Sequence, residues 1–357
     1  MIRLGLVGCG QIAREFHLPS IRDSSDTRVV ALCDNNPVSL QRASSLTSRP
    51  RLFDSVDELL ESKLVDAVDI CTPGFTHFDI ASRCLESGLD VLVEKPVALS
   101  LREAQELGGL SKKCGRKICV VQSLRFHRNV QLLLRTLENG QLGQVMKVVC
   151  TYHGRNVHNE ASWLHDETKS GGIIYELAIH LIDLMALLLG KPNSVVGTHA
   201  RYRPEIGCTT EIESIIGFGD GKIGILDLTQ DTTLHSALYT QASVYCTGAD
   251  AFLKFAPDYI RVSSGQVDPL QETSEELKRL VSFGFKIATR RYRRHRTEPH
   301  KRIILGFLNS LRTDTTPPVD VSSVYDTMAL ADLLSSQVKH HIANISQSVD
   351  PPAPQID

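Results

Sequence analysis

The chain has 357 residues, of which 42% are hydrophobic and 22% are charged, and its formal net charge at pH 7 is −2. This length accommodates two domains with sizeable cores, and the lack of a basic excess argues against a nucleic-acid-binding protein. The nine cysteines are scattered without the C-x-x-C or Cys/His spacing of a zinc site, so we expect reduced thiols, a cytoplasmic location and no bound metal.

The first predicted elements form a nucleotide-binding unit. An apolar strand at residues 2–7 leads into the motif Gly8-Cys9-Gly10-Gln11-Ile12-Ala13, and a helical pattern follows. In such a motif Gly8 permits a tight turn, Gly10 lets the backbone approach a pyrophosphate, and Ala13 lets the helix pack closely on the strand. Because the strand begins at residue 2, we expect no cleavable signal peptide.

The second predicted strand, residues 28–33, ends at Asp34, which has the spacing of the acid that binds the ribose of a dinucleotide. A carboxylate at this position accepts hydrogen bonds from ribose hydroxyls and repels a 2′-phosphate, so the sequence favours NAD over NADP. Arg42 is the residue that could offset this preference. The alternative is that Asp34 only caps the turn that follows it.

The alternation of strands and helices continues to residue 122. Capping boxes at residues 55–58 and 100–103 begin two helices, and the remaining apolar strands are predicted at residues 67–71, 90–93 and 117–121. Five strands with intervening helices predict a doubly wound parallel sheet, which binds ligands at the carboxyl ends of its strands. The residues at these ends are Thr72, Pro73, Glu94, Lys95 and Gln122.

A nearly continuous apolar stretch at residues 173–189 is interrupted by Glu176, His180 and Asp183. Spacings of four and seven place these three side chains on one face of an α-helix. Their burial is costly unless they are paired or used in a site, and the stretch is too short and too polar to cross a membrane comfortably. It is either a core helix with a satisfied polar stripe or a helix that carries a functional site.

A second domain is predicted over residues 123–344, and a disordered, proline-containing tail over residues 345–357. The loose alternation of apolar residues in this domain is typical of a sheet with one covered face. The strand candidates are residues 145–152, 214–218, 223–228 and 242–246.

A basic cluster follows an apolar run in the second domain. It has three interpretations: a solvated helical face, a clamp for a phosphorylated or nucleotide-linked sugar, or a contact of the segment Arg290–Arg302 with an anionic membrane surface. The membrane contact is the least favoured of the three. The cluster consists of Lys286, Arg290, Arg291, Arg293, Arg294, Arg296, Lys301 and Arg302.

Several segments together resemble the Gfo/Idh/MocA oxidoreductases. The resemblance implies a Rossmann domain at residues 1–122 and an α/β domain at 123–344 that is built on an open-faced, mostly antiparallel sheet. It also implies reversible hydride transfer between a nicotinamide cofactor and a secondary alcohol, usually of a sugar or cyclitol. The matching segments are the glycine motif, Thr72 to His77, Glu94-Lys95-Pro96, Leu124-Arg125-Phe126 and Trp163 to Asp183, with looser matches at residues 217–221 and 324–339.

The resemblance places the catalytic residues at Lys95, Glu176 and His180. An imidazole is suited to be the base that takes the alcohol proton, and an ammonium group stabilises negative charge that develops on the reacting oxygen. Glu176 is expected to orient His180 or bind a substrate hydroxyl. The family often has Asp at this position, so the extra methylene changes the reach toward the substrate. Asp183 is interpreted as a structural residue.

The resemblance and the strand ends together define the expected binding residues. For His77, contact with the cofactor and capping of the backbone remain alternatives. Arg125 and Trp163 are predicted to bind substrate, with a salt bridge and a core position as equal alternatives. The expected cofactor contacts are Gly8, Gly10, Gln11, Ile12, Ala13, Asp34, Thr72, Pro73, His77, Glu94, Lys95 and Gln122.

The favoured function is an NAD-dependent dehydrogenase of a sugar, cyclitol or nucleotide-sugar, with a small polyol or sugar as its partner. The alternatives are a cofactor-binding regulator without chemistry and a reductase of a non-sugar carbonyl or dihydrodiol. A homodimer or homotetramer is also expected, because the strand candidates of the second domain carry too many apolar residues for a wet face. These residues include Ile215, Ile216, Ile223, Ile225 and Leu226.

Overall fold

A computed structural model describes residues 1–154, 163–230, 240–255, 258–263 and 291–348. The N-terminal sheet has six parallel strands in the order β3-β2-β1-β4-β5-β6. The order reverses at β1 and β4, so a crevice opens outside their carboxyl ends. The strands are β1 (Ile2–Val7), β2 (Thr27–Cys33), β3 (Arg51–Phe53), β4 (Ala67–Ile70), β5 (Asp90–Glu94) and β6 (Ile118–Val121).

Helices cover both faces of this sheet. In both predicted capping boxes the bond of the N-cap serine is present. The Ser55 hydroxyl accepts from the amide of Glu58, and the Ser100 hydroxyl accepts from the amide of Glu103. The helices of this part are α1 (Leu18–Arg22), α2 (Pro37–Ser44), α3 (Val56–Glu61), α4 (His77–Glu86) and α5 (Leu101–Cys114).

Two features of this sheet differ from the prediction. Five strands were expected, but the short strand β3 adds a sixth beside β2. Only one of its three residues, Phe53, is buried, so the sequence carries no periodic signal for it. The helix after the glycine motif also contains a π-helical turn, Ala13–His17, before α1 continues it.

The second sheet has seven strands in the order β13-β12-β11-β7-β10-β9-β8. It is mixed, since β7 and β10 are parallel and the other neighbours are antiparallel. The strands are β7 (Val145–His153), β8 (Pro192–Arg203), β9 (Cys208–Phe218), β10 (Ile223–Thr229), β11 (Thr240–Cys246), β12 (Asp250–Phe255) and β13 (Asp258–Ser263).

All four predicted strands of this sheet are present, but β8, β12 and β13 were missed. Three irregularities in the pairing of β8 with β9 disturb its alternation. At the other edge, β13 has no fully buried residue. Edge strands with irregular pairing, or with few buried side chains, lack the period-two pattern of apolar residues that identifies a strand from sequence.

The remaining helices cover one face of this sheet and return to the first domain. The helix α8 packs on β7 and β10, and α9 packs on α1, while Val120 donates its amide to the carbonyl of Val319. The C-terminal part therefore also packs against the first domain. These helices are α6 (Arg128–Glu138), α7 (Glu167–Ser170), α8 (Ile179–Leu189), α9 (Arg291–Thr313) and α10 (Tyr325–Ser348).

Two predictions fall largely outside the described residues. The helix α10 continues to Ser348, so the chain is helical beyond the predicted boundary at residue 344, and residues 349–357 are not described. Of the basic cluster, Lys286 and Arg290 lie outside the described ranges. The side chains of Lys301 and Arg302 form ion pairs with Asp23 and Glu298.

One helical run, Glu167–Leu189, is long and apolar enough by composition to cross a membrane, although the sequence stretch alone appeared too short. The run is longer than predicted because α7 and a π-helical turn, Ile174–Ala178, precede α8. Within the protein 72% of its most apolar window is buried. A core helix of a folded domain has this character.

Candidate active site

The glycine motif forms the turn between β1 and the following helix. Gly8 has φ of 88°, and a Cβ atom there would lie 2.6 Å from the backbone of Cys71, so no other residue fits. A Cβ on Gly10 would meet nothing within 4 Å. The turn therefore leaves an open approach to the backbone of Gly10, as a bound pyrophosphate requires.

A cleft of about 550 Å³ lies beside this turn at the carboxyl ends of the strands. Asp34 lines this cleft, where its Oδ2 accepts a hydrogen bond from the amide of Cys9 at 2.6 Å and its Oδ1 accepts one from the amide of Asn36 at 2.7 Å. The second lone pair of each oxygen remains for ligand hydroxyls. The predicted residues that line the cleft are Gly8, Gly10, Asp34, Thr72 and Pro73.

Other residues of this cleft were not foreseen. Asp54 follows the unpredicted strand β3, while Asp79 and Arg83 lie on successive turns of α4. The guanidinium of Arg83 is paired with Asp57 and, at 3.5 Å, with Asp79. The spacing of Asp79 and Arg83 signals a helical ion pair, but only the fold brings that pair to the cleft.

Lys95 meets Glu176 across the two domains. The Lys95 Nζ donates to the carbonyl oxygen of Glu176 at 2.7 Å and lies 3.5 Å from its Oε1. Lys95 follows β5, whereas Glu176 lies in the π-helical turn before α8. A π-helical turn changes the carbonyl register of a helix and is frequent at functional sites. The structure thus brings together the first two residues of the predicted catalytic set.

His180 lies one turn beyond Glu176, in the first turn of α8. Burial, together with the charge of Lys95, lowers the pKa of His180 to about 3. Its Nδ1 is buried and has no hydrogen-bond partner among the described residues. The imidazole is therefore neutral at physiological pH and has unsatisfied bonding capacity beside Lys95.

Asp183 does not share this site, although the spacing placed it on the same face. Its carboxylate is fully buried and accepts from Arg125 at 2.7 and 2.8 Å and from the hydroxyl of Thr327 at 2.8 Å. Arg125 also donates to Ser323. For Arg125 the geometry favours the salt-bridge alternative over a contact with substrate.

A buried triad lies behind Lys95. The ring of His17 donates from Nδ1 to Asp69 and from Nε2 to Glu94, both at 2.9 Å. Burial opposes charge on this ring, but Asp69 outweighs it and raises the pKa of His17 well above its usual value. Although Glu94 is buried, the hydrogen bond from His17 lowers its pKa to about 2. Its Oε2 accepts from the amide of Lys95 at 3.0 Å.

This triad revises the predicted role of Glu94 and adds two residues that were missed. Glu94 faces His17 and holds the backbone of Lys95, so its geometry favours a positioning role over a cofactor contact. Cys71 lies close to the triad, and its sulfur, Asp69 and His17 offer ligand atoms within 4.8 Å of one another. The imidazole and the carboxylates already satisfy one another by hydrogen bonds.

The remaining predicted residues lie around the site in different ways. The buried His77 has ring nitrogens 2.6 Å from the carbonyl oxygen of Pro96 and 2.8 Å from that of Thr72, which favours the backbone-capping alternative. The half-buried Trp163 packs edge-on against Phe75, a residue of the cleft, at 6.1 Å between ring centroids.

The last of the predicted cofactor residues lie near the glycine turn and at the end of β6. Gln11 and Ile12 are exposed, while Ala13 is fully buried against the sheet as predicted. Gln122 is buried, and its Oε1 has no hydrogen-bond partner among the described residues. Such an orphan acceptor at a strand end marks a place for a ligand donor.

Comparisons with known proteins agree with this architecture. A family model described as "Oxidoreductase family, NAD-binding Rossmann fold" matches residues 2–122, and the GFO/IDH/MocA C-terminal domain matches residues 130–251. The uncharacterized oxidoreductase YdgJ of Escherichia coli (strain K12) is 26% identical over 346 residues, which cover 95% of this chain and 97% of YdgJ. Inositol 2-dehydrogenase of Rhizobium meliloti (strain 1021) is 28% identical over 201 residues, 56% of this chain and 58% of that protein.

Solved structures share the whole fold. The crystal structure of the WlbA dehydrogenase from Bordetella pertussis, in complex with NADH and UDP-GlcNAcA, superposes with a TM-score of 0.80 at 22% identity and covers 95% of this chain and 96% of that one. At this identity the superposition establishes the fold. Together with the two matched family domains, it shows that the chain is an oxidoreductase of the Gfo/Idh/MocA family with an NAD-binding Rossmann domain.

Proposed function

We propose that this oxidoreductase transfers a hydride between NAD and a secondary alcohol or ketone of a sugar, cyclitol or nucleotide-linked sugar. The observation that carries the proposal is the meeting of Lys95 and Glu176 at the end of β5, with His180 one turn further along the helix. The ammonium of Lys95 can donate to the reacting oxygen, and the carboxylate of Glu176 can accept from a substrate hydroxyl. The neutral imidazole of His180 can accept the proton of the reacting hydroxyl.

In this mechanism His180 takes the proton of the reacting hydroxyl. The low pKa keeps the free imidazole neutral, so its lone pair is available at pH 7. Negative charge that develops on the oxygen favours the imidazolium beside it, and the ammonium of Lys95 stabilises the same charge. In the reverse direction His180 returns the proton to the reduced oxygen.

The residues of the cleft fit a nicotinamide dinucleotide. The open space at Gly10 suits a pyrophosphate, and the spare lone pairs of Asp34 suit ribose hydroxyls. Gln122 does not line this cleft, but its orphan Oε1 at the end of β6 suits a carboxamide donor. When bound, NAD supplies the acceptor of the hydride. The protein supplies orientation, charge and the route of the proton.

NAD is proposed over NADP because carboxylates surround the expected ribose position. Asp34, Asp54 and Asp79 line the same cleft, and Arg83, the one arginine among the described residues that line it, is already paired with acids. A 2′-phosphate would lie among like charges. Arg42, the residue that might have offset this preference, is exposed on α2 and is not among the cleft residues.

Fluorescence titration with NADH and NADPH tests this preference. We expect NADH to bind more than about tenfold more tightly, a difference of about 1.4 kcal/mol. The double variant Asp34→Ser with Asn35→Arg is expected to narrow or reverse the ratio. Tighter binding of NADPH by the unaltered protein would contradict the assignment of Asp34.

Catalysis is tested by a screen of inositols, free sugars and nucleotide sugars with NAD, followed by the absorbance of the reduced nicotinamide. We expect turnover of at least one polyol, and its loss in Lys95→Ala and His180→Ala. Lys112→Ala, an exposed lysine on α5, is the matched control and should retain full activity.

The screen also separates the alternatives. A regulator without chemistry would bind NADH but turn over no compound in either direction. Activity confined to a dihydrodiol or a non-sugar ketone would keep the mechanism and replace the substrate class. The Lys95–Glu176 pair argues against the regulator, because a binding module has no need for a cation held beside a neutral imidazole.

A further inference from the structure

The hydrogen bonds of the buried triad lead without a break to the backbone of Lys95. Asp69 lies on β4 at the centre of the parallel sheet, His17 ends the π-helical turn before α1, and Glu94 ends β5. The ring of His17 is 2.9 Å from an oxygen of each carboxylate, and Glu94 Oε2 accepts from the amide of Lys95 at 3.0 Å. The triad thus ends at the residue whose ammonium meets Glu176.

Neither ligand contact nor stability accounts for the position of His17. The side chains of His17 and Asp69 are fully buried, and that of Glu94 is 9% exposed. None of the three is among the residues that line the cleft beside Asp34. Apolar residues of similar volume can often replace a buried ion pair without loss of stability. Because solvent does not reach its side chain, His17 can act on a reaction only through the residues that it contacts.

The protonated ring of His17 fixes the orientation of the Glu94 carboxylate. Burial opposes the charge, but Asp69 raises the pKa of His17 well above its usual value, so both ring nitrogens carry hydrogen and can donate. Glu94 gives one oxygen to His17 and the other to the amide of Lys95. The ring of His300, on α9, covers this contact at 6.2 Å from that of His17, and its Nε2 is 3.9 Å from Glu94 Oε1.

We propose that His17 is a positioning residue that, through Glu94, holds the backbone of Lys95 where its ammonium reaches the reacting oxygen. The inference rests on the proposed dehydrogenase function and adds to it a residue from the helix after the glycine motif. A lysine side chain is a flexible four-carbon stem, so its ammonium has a defined place only when both ends are held. The carbonyl of Glu176 holds Nζ at 2.7 Å, and the triad holds the backbone.

Two variants of His17 that differ by one methylene test the proposal. Glutamine can bring its amide group to the place of Nε2 and donate to Glu94, whereas asparagine reaches only the place of Nδ1, beside Asp69. Both variants remove the charge and one of the two hydrogen bonds, so they differ mainly in the bond to Glu94.

With a substrate found in the screen, we expect kcat of His17→Asn to be at least about tenfold below that of His17→Gln, because a misplacement of about 1 Å can cost a hundredfold in rate. The affinity for NADH should be the same in both variants. Equal kcat values beside an intact Lys95 would overturn the positioning role.

The same comparison in the Lys95→Ala background shows whether His17 acts through the ammonium. The kcat ratio of the two His17 variants should fall to about one there, as in a double-mutant cycle of coupled residues. A ratio that persists without the ammonium would overturn the proposal. Leu85→Ala, at a fully buried position of α4, is the control for lost stability and should lower the melting temperature without changing kcat.

Hydrogen exchange of the Lys95 amide, followed by NMR, needs no substrate. Because this amide donates to Glu94, we expect it to exchange at least about threefold faster in His17→Asn than in His17→Gln, since a less constrained acceptor protects it less. Equal exchange rates would overturn the proposal. If the unaltered protein binds NADH but turns over no substrate, the proposed function itself has failed, and the exchange rates alone decide whether His17 holds Lys95.

Discussion

Lys95 and His180 are the residues on which the proposed chemistry depends most directly. We predict that Lys95→Ala and His180→Ala each lower kcat by about a hundredfold or more, a typical cost for losing a proton-transfer or charge-stabilising group. Cofactor affinity should change far less, since neither side chain lines the cleft beside Asp34. Near-normal rates in His180→Ala with a good substrate would remove His180 from the role of base.

The depressed pKa of His180 also predicts how stability depends on pH. As pH falls below about 6.5, an unfolded histidine binds a proton, whereas the folded ring stays neutral until about pH 3. The folded state therefore loses stability relative to the unfolded chain across this window. We predict that the melting temperature of His180→Gln falls less steeply between pH 6.5 and pH 4 than that of the unaltered protein. Parallel pH curves would contradict the lowered pKa.

At the scale of elements, Arg125 joins the segment after β6 to α8 and to Ser323, in the turn that precedes α10. Its partner Asp183 is fully buried, and the side chain of Arg125 is only 12% exposed. Removing one partner of such a pair leaves an uncompensated buried charge. We predict that Arg125→Ala lowers the free energy of unfolding by roughly 3 kcal/mol or more, as measured by denaturant unfolding.

The control for this prediction is Arg128→Ala, an exposed arginine at the start of α6. It should change the free energy of unfolding by less than about 0.5 kcal/mol. NADH affinity should be retained in both variants below their melting temperatures. If Arg125→Ala is as stable as the control but loses activity, then Arg125 contacts the substrate after all.

At the scale of the whole molecule, the second sheet has one face packed against α8 and one face that no element of the described residues covers. Ile216 and Leu226 are fully buried, so they lie on the covered face and not on the open one. Ile215 and Ile223 are 46% and 40% exposed on the open face, and Ile215 pairs with Ile225 across β9 and β10. A central apolar patch of this kind on a broad sheet is typical of a protein interface.

We propose that a second copy of the chain covers this face through a two-fold axis. Light scattering at micromolar concentration should give a dimer or tetramer rather than the 39.5 kDa single chain. Ile215→Glu should shift the mass toward the monomer, because it buries a charge at the centre of the interface. Leu132→Glu, an equally exposed position on α6, should leave the mass unchanged. A monomeric unaltered protein would refute the proposal.

The sequence by itself determined the parts of this protein that rest on local signals. The glycine motif, the capping residues Ser55 and Ser100, and the buried strands of the first sheet each depend on neighbours within a few residues, so their patterns are visible in the chain. The positions of Asp34 and Lys95 at strand ends follow from the same strands. Conformation at these places is set by backbone sterics and periodic burial.

Only the tertiary structure decided which polar residues meet. The strand β3 is three residues long, so its sequence shows no periodic pattern, and Asp54, which follows it, lines the cleft. His17, Asp69 and Glu94 lie on three different elements, and His300 reaches them from α9. Asp183 shares a predicted helical face with His180 yet bonds to Arg125. Each of these contacts joins residues far apart in the chain, and packing of whole elements, rather than local preference, determines which side chains pair.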